Sequence, residues 1–308
     1  MYKQFFGLKR NPFEISPDPN FYCPTPLHNE ALASLHYGIQ RRKGFVVVTG
    51  EVGTGKTLLI QCLLRSLSRT QTAFSHVFNT RLSPIEFLQY MLADFGLPTK
   101  GKNKSELLIQ LNSFLITRYR QGLITALIID EGQLLDWEVL EEVRLLTNLE
   151  TVQQKLLQII LIGQPELDDK LDSTELRQLK QRVAFRCRLK PLADEEIRSY
   201  IGRRLELAGL TAQPQTLFPG TALMEIAKYS NGIPRLINTI CENALIAGFA
   251  RQVQSISPEI IEQVAVDFHL NTSSGTLRPR TTEKPVTIDE LLRMMRLLQT
   301  SKESETSL

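Results

Sequence analysis

Eight consecutive residues, Gly50-Glu51-Val52-Gly53-Thr54-Gly55-Lys56-Thr57, carry the strongest chemical signal in the sequence. Gly50 and Gly55 bracket four residues, and Gly55 is followed by a lysine and a hydroxyl residue, which is the phosphate-loop spacing. Glycines in such a loop let consecutive backbone N–H groups turn inward onto phosphate oxygens. Lys56 would then bring an ammonium to the β- and γ-phosphates, and the Thr57 hydroxyl would complete the shell of a Mg²⁺ ion. The implied ligand is a nucleoside triphosphate, ATP, with Mg²⁺.

Two further groups fit the same chemistry. The apolar run Ala126–Ile129 ends in Asp130-Glu131. Paired acids at the end of a buried strand are costly unless they hold or polarise something. Asp130 suits the Mg²⁺ shell and Glu131 suits the base that polarises an attacking water; taken alone, the pair also suits a surface turn. A second apolar run, Leu157–Ile162, ends in Gly163-Gln164-Pro165. There the Gln164 amide is placed to sense the γ-phosphate, to orient the water, or only to close a turn.

Chemistry of this kind needs particular supports. Phe45–Val48 is short, apolar and β-branched, as a buried strand requires, and Leu58–Leu67 has apolar residues at helical spacing. Strand, glycine loop and helix would put the positive end of a helix dipole at the phosphates. Further along, Phe74–Phe78 reads as a strand, and Pro84–Phe95, Glu106–Tyr119 and Trp137–Leu149 read as helices. Before the loop, His28–Arg41 reads as an amphipathic helix, preceded by irregular chain with Phe5, Phe6, Phe13 and several prolines. Those rings either pack on the core or line a base pocket. The alternation of strands and helices predicts a three-layer α/β fold on a mostly parallel sheet.

Residues 176–189 contain Arg177, Arg182, Arg186 and Arg188, a basic run that ordinarily marks a solvated face. Beyond Pro191 the pattern turns to helices alone, at Asp194–Ala208, Thr221–Ser230, Pro234–Phe249 and Pro258–Phe268. The expected organisation is therefore an α/β domain over 1–190, including the aromatic N-terminal segment, and an all-helical lid over 191–270. Residues 271–308 would supply a flexible linker and a short amphipathic helix with Ile288, Leu291, Leu292, Met295 and Leu298 on one face. A linker near Pro191 is a natural hinge.

Composition limits the remaining classes. A chain of 308 residues with 42% hydrophobic and 22% charged residues has ample material for a core. No apolar run approaches the roughly 20 residues of a membrane span, and Met1–Arg10 lacks the apolar core of a secretory signal, so the expected location is the cytoplasm. Four scattered cysteines and four scattered histidines give no metal-ligand spacing. A net charge of +3 is too small to argue for nucleic acid by itself.

In this order, the phosphate loop, Asp130-Glu131, the polar strand end, the arginine-rich edge and the helical tail resemble the P-loop NTPases of the AAA+ class. More closely, residues 1–270 resemble the ATPase module of the general secretion pathway protein A (ExeA-like) family, which is also similar to ATPases found beside exosortase and exopolysaccharide genes. The marks are Tyr2–Leu8, Asn11-Pro12-Phe13, Pro17-Asp18-Pro19, Glu30-Ala31-Leu32, Gly50–Thr57, Asp130-Glu131-Gly132-Gln133, Ile162-Gly163-Gln164-Pro165, Gln181-Arg182-Val183 and Gly232-Ile233-Pro234-Arg235. The resemblance implies ATP hydrolysis, with Gln164 as first sensor and Arg235 as a second sensor reaching the γ-phosphate of its own subunit. It implies Arg182 as the arginine finger offered to a neighbouring copy, with Arg186 as runner-up, and hence a homo-oligomeric ring or filament. Outside the resemblance, Arg235 reads as a helix-start residue and Arg182 as surface charge.

The implied partner is an envelope secretion or export system. Two departures stand out: Gly132 replaces the usual alanine, which is expected to be harmless, and the sequence shows neither the membrane span nor the peptidoglycan-binding domain of the family, which takes the cell-wall role out of the expectation. Related ATPases that regulate DNA transposition share the layout, so a DNA-binding regulator is the second expectation and a slow nucleotide-switched scaffold the third.

Overall fold

In a computed structural model, residues 2–79 and 81–270 are described; the expected linker and the helix at Ile288–Leu298 lie outside them. The chain opens with a single helical turn, α1 (Tyr2–Phe5), and after a 3-10 turn at Pro19–Phe21 enters α2 (Pro26–Gln40). The α/β alternation follows: β1 (Phe45–Gly50), α3 (Lys56–Leu67), β2 (Ala73–Val77), α4 (Pro84–Asp94), α5 (Lys104–Arg120), β3 (Thr125–Ile129), α6 (Trp137–Leu146), β4 (Gln158–Gly163), α7 (Pro165–Asp172), α8 (Arg177–Lys180) and β5 (Phe185–Leu189). Helices alone complete it: α9 (Asp194–Leu207), α10 (Pro214–Leu217), α11 (Gly220–Ser230), α12 (Pro234–Ala250) and α13 (Pro258–Asp267).

All strand pairs are parallel, in the order β2-β3-β4-β1-β5. Parallel strands buried on both faces read as nearly continuous apolar runs, and the apolar side chains divide between the two faces. Phe45, Val47, Leu127, Ile129, Ile159 and Leu161 enter one buried cluster with the helices of one layer. Val46, Val48, Ala126, Ile128, Ile160 and Ile162 enter another with Leu35 and Ile39 of α2 and Leu59 and Leu63 of α3. Because β1 and β3 both flank β4, with Thr49 beside Gly163 and Ile129 beside Leu161, the three polar strand ends emerge on one edge of the sheet.

Three elements depart from the sequence reading. The basic run at 185–189 is not merely a solvated face but the edge strand β5. Arg186 and Arg188 point out while Phe185, Cys187 and Leu189 are partly or fully covered, and charged side chains of this kind blunt an open sheet edge. Helix α7 is a short acidic helix whose apolar face is only the i, i+4 pair Leu167 and Leu171. A turn of helix also forms at Tyr2–Phe5, where irregular chain is expected, because the run precedes the first proline.

The N-terminal rings do not pack with the sheet they were grouped with. Phe6, Leu8, Phe13 and Phe21 are buried in one cluster with Ile201 and Leu205 of α9 and Ile237 and Ile240 of α12. Of the two roles open to Phe6 and Phe13, the structure gives them the core.

Candidate functional site

The phosphate loop folds as its glycines require. Gly53 and Gly55 have φ of 83° and 99°, and Gly55 caps α3 in the left-handed region, which L side chains adopt only at a cost. The loop is held from inside. The Thr54 hydroxyl donates to the Glu51 carbonyl (2.7 Å), and the ring of His28 on α2 bridges Thr25 Oγ1 (2.7 Å) to the Thr54 carbonyl (2.9 Å). A carbonyl only accepts, so His28 Nε2 carries a hydrogen. Lys56 is 6% exposed, and its Nζ donates to the carbonyls of Gly50 (2.8 Å) and Glu51 (3.0 Å). Burial lowers its pKa, opposed chiefly by Glu131 and Asp130.

Asp130 and Glu131 leave the end of β3 beside the loop. Asp130 is 8% exposed and accepts the Glu131 N–H on Oδ1 (2.8 Å). Burial pushes its carboxyl above the ordinary aspartate range, the Glu131 N–H opposing and the Glu131 carboxylate adding to the rise. Glu131 sits at φ 52°, ψ 38°, a left-handed conformation uncommon outside glycine. Its Oε2 accepts from Gln133 Nε2 (2.6 Å) and, at the long limit of a hydrogen bond, from Gln164 Nε2 (3.4 Å). Gly132 occupies a tight space: a Cβ there would stand 2.6 Å from Leu161 Cδ1, so glycine is accommodated and alanine would require Leu161 to move.

A cavity of about 440 Å³ gathers these groups. Its floor is Gly53, Gly55, Lys56 and Thr57, one wall is Glu131 and Gln164, and another is Arg235 and Asn238 of α12 with Tyr200 and Arg204 of α9. The N-terminal segment closes it through Glu14–Asp18. Helix α12 meets the loop directly: the Arg235 N–H donates to the Gly53 carbonyl (3.2 Å). Arg204 is 4% exposed, donating to the Pro12 carbonyl (2.5 Å) and to the Tyr200 hydroxyl (2.8 Å), which itself donates to Asn238 (2.9 Å).

The residues present fit Mg²⁺–ATP. Gly53 and Gly55 form a cradle that a Cβ would fill, since one at Gly53 would stand 2.8 Å from Arg235 Cβ and one at Gly55 3.0 Å from His28 Nε2. The Thr57 hydroxyl and the Asp130 carboxylate are hard oxygen donors of the kind Mg²⁺ takes. Arg182 is not part of the cavity. It is exposed, with Nη2 donating to Asn148 Oδ1 (2.9 Å). Arg186 is paired within its own chain to Asp168 (2.6 Å) and Asp172 (3.0 Å).

A model of the family described as "AAA domain" matches residues 39–171, the segment that supplies the loop, Asp130-Glu131 and Gln164. General secretion pathway protein A of Aeromonas hydrophila is 45% identical over 252 residues, 82% of this chain. The chain has the AAA+ fold and is related to general secretion pathway protein A. It spans about 45% of that relative's length. Among solved structures, this AAA+ chain superposes on Drosophila ORC bound to DNA (TM-score 0.64, 20% identity, covering 86% of this chain and 66% of that one). It also superposes on the Aeropyrum pernix ORC2 protein in ADPNP–ADP complexes (TM-score 0.61, 15% identity, covering 84% and 72%). At such identities the likeness is one of fold.

Sequence reasoning on the AAA+ chain missed Gln133, His28, Tyr200, Arg204 and Asn238 as site residues. Gln133 stands two places after Glu131 and so lay next to a visible signal. Tyr200, Arg204 and Asn238 reach the cavity, and His28 reaches the loop beneath it, only through long-range packing.

Proposed function

We propose that the chain binds Mg²⁺–ATP in this cavity and hydrolyses it, working as a ring or filament of identical copies that drives assembly or remodelling of a bacterial envelope secretion or exopolysaccharide-export system. The observation that carries the reading is the convergence of Lys56, Thr57, Glu131, Gln164 and Arg235 on one cavity. Lys56 neutralises phosphate charge, and ATP replaces the loop carbonyls as its partner. Glu131 orients the attacking water and accepts its proton, while Gln164 and Arg235 face the terminal phosphate. Thr57 and Asp130 would hold Mg²⁺, which when bound would supply charge neutralisation across the phosphates.

Helices α9–α13 act as the lid, hinged near Pro191, and Arg182 serves the site of a neighbouring copy, consistent with its exposure and its distance from the cavity lining. The proposed compartment is the cytoplasm. Separately, among the described residues no helix is long and apolar enough to cross a membrane.

The test is Glu131→Gln, which should leave ATP affinity unchanged and slow hydrolysis at least ~100-fold, the scale of losing a general base. Affinity falling in step with rate would make Glu131 structural. The DNA-regulator reading has weaker support, because Lys180, Arg186 and Arg188 in the basic stretch are ion-paired to Asp168 or Asp172. Salt-sensitive binding to duplex DNA would revive it. The slow-scaffold reading predicts turnover too low to act as a motor.

A further inference from the structure

We infer that Gln133 is a positioning residue for Glu131: its side-chain amide fixes which carboxylate oxygen of Glu131 faces the water, and ties that oxygen to the backbone of Gln164. The inference rests on the reading of Glu131 as the base. Gln133 is 8% exposed, and both ends of its amide are engaged. Nε2 donates to Glu131 Oε2 (2.6 Å), and Oε1 accepts the Gln164 N–H (3.0 Å). With the longer contact from Gln164 Nε2 also on Oε2, one oxygen of the carboxylate is committed to amide donors. Oε1 is the oxygen left for the water.

The clamp is itself rigid. The turn Gly132–Leu134 that carries Gln133 is pinned by Lys170 of α7, whose Nζ donates to the carbonyls of Gln133 (2.5 Å) and Leu135 (2.9 Å). The amide occupies space that Gly163 at the end of β4 leaves open, since a Cβ there would stand 2.8 Å from Gln133 Oε1. Glu131 needs such support. Its left-handed backbone is a conformation that persists in a non-glycine residue only where neighbours over-determine it. The Gln133 amide is the shortest side-chain contact that Glu131 makes among the described residues. A hydrogen bond to an ionised carboxylate is strong enough to set that geometry. By the same link, a displacement of the Gln164 backbone is carried to the base through one amide.

The experiment is a pairwise swap measured on the full chain, with three readouts: kcat, ATP dissociation constant, and thermal midpoint of the nucleotide-free protein. Gln133→Glu keeps the acceptor for Gln164 N–H but sets a second carboxylate oxygen against Glu131. It should lower kcat at least ~10-fold and lower the midpoint, with ATP affinity within about twofold. In Glu131→Gln/Gln133→Glu the donor and acceptor are exchanged and the hydrogen bond is restored. The midpoint should then return to near the wild-type value while kcat stays at the level of Glu131→Gln. A merely structural Gln133 predicts the same loss of midpoint in both backgrounds, and that result would overturn the clamp. So would a Gln133→Glu protein with wild-type kcat beside a Glu131→Gln protein that is slow. If Glu131→Gln itself turns over normally, the fault lies with the assignment of the base, and the clamp falls with it.

Discussion

Replacing Gly53 by alanine tests whether α12 rests on the phosphate loop. Gly53 has φ of 83°, and an added Cβ would stand 2.8 Å from Arg235 Cβ and 2.9 Å from Ile233 Cγ2. Two costs follow. The left-handed conformation costs an L residue about 1–2 kcal/mol, and displacing α12 breaks the Arg235 N–H to Gly53 carbonyl bond, worth ~1 kcal/mol net. Together these oppose the closed arrangement of loop and helix by about 2–3 kcal/mol, so ATP affinity should fall ~30- to 140-fold at the tenfold-per-1.4 kcal/mol exchange. Fluorescent-nucleotide titration measures this. The control is Gly122→Ala, with φ of 74° but nothing within 4 Å of the new methyl, which carries the backbone cost without the collision. Gly122→Ala should lower the thermal midpoint and leave ATP affinity alone. Equal affinities for the two variants would refute the contact as a determinant of binding.

Three other outcomes follow from the same geometry. Asp130→Asn should raise the thermal midpoint of the nucleotide-free protein while weakening Mg²⁺-dependent ATP binding. Its folded pKa is raised by burial, so the ionised form opposes folding at neutral pH. The gap between variant and wild type should close as pH falls through that raised value toward the ordinary ~3.9. Asp168→Asn should cost about 2–3 kcal/mol, or ~4–12 °C in calorimetry, less than a fully buried pair because Arg188 is 61% exposed. Burial pushes Asp168 up, but the hydrogen bonds from Arg188, Arg186 and Thr49 outweigh it and hold the carboxyl low. This stabilisation is therefore present above pH ~4 and lost as pH falls through the depressed value. Arg182→Ala should fold and bind ATP normally yet lose most turnover, and mixing it with Lys56→Ala subunits should restore part of the rate. No recovery on mixing would place Arg182 in service of its own chain.

What the sequence made legible is what chemistry had constrained locally. Gly50–Thr57 and Asp130-Glu131 announce themselves because a phosphate cradle and a paired acid need fixed residue types at fixed spacing, and β1, β3 and β4 because buried parallel strands are mostly apolar. β5 was hidden by that same rule. As an edge strand it alternates arginines with covered residues, and its charges are balanced by Asp168 on α7, far enough away that no pattern joins them. Helix α7 is only eight residues long, and its apolar face is just Leu167 and Leu171, too little to stand out among its acidic residues. His28 and Arg204 are polar residues in ordinary amphipathic helices, and their part in the cavity depends on which turn faces which partner.

The packing of the first residues has a consequence for how the molecule is made. Phe6, Leu8, Phe13 and Phe21 share a buried cluster with side chains of α9, α12 and α13, so a stretch made before the sheet completes its core only with helices made after it. On the ribosome the sheet can form while these rings still have no partners, exposing apolar surface of the kind that invites aggregation or chaperone capture. Contacts of such long sequence separation also slow closure of the last step of folding. Residues 14–18, which line the cavity, are joined directly to this segment. ATP competence therefore arrives with the helices that follow β5 rather than with the phosphate loop, and a translation product halted after β5 carries every motif read from the sequence up to Arg182 without a finished pocket.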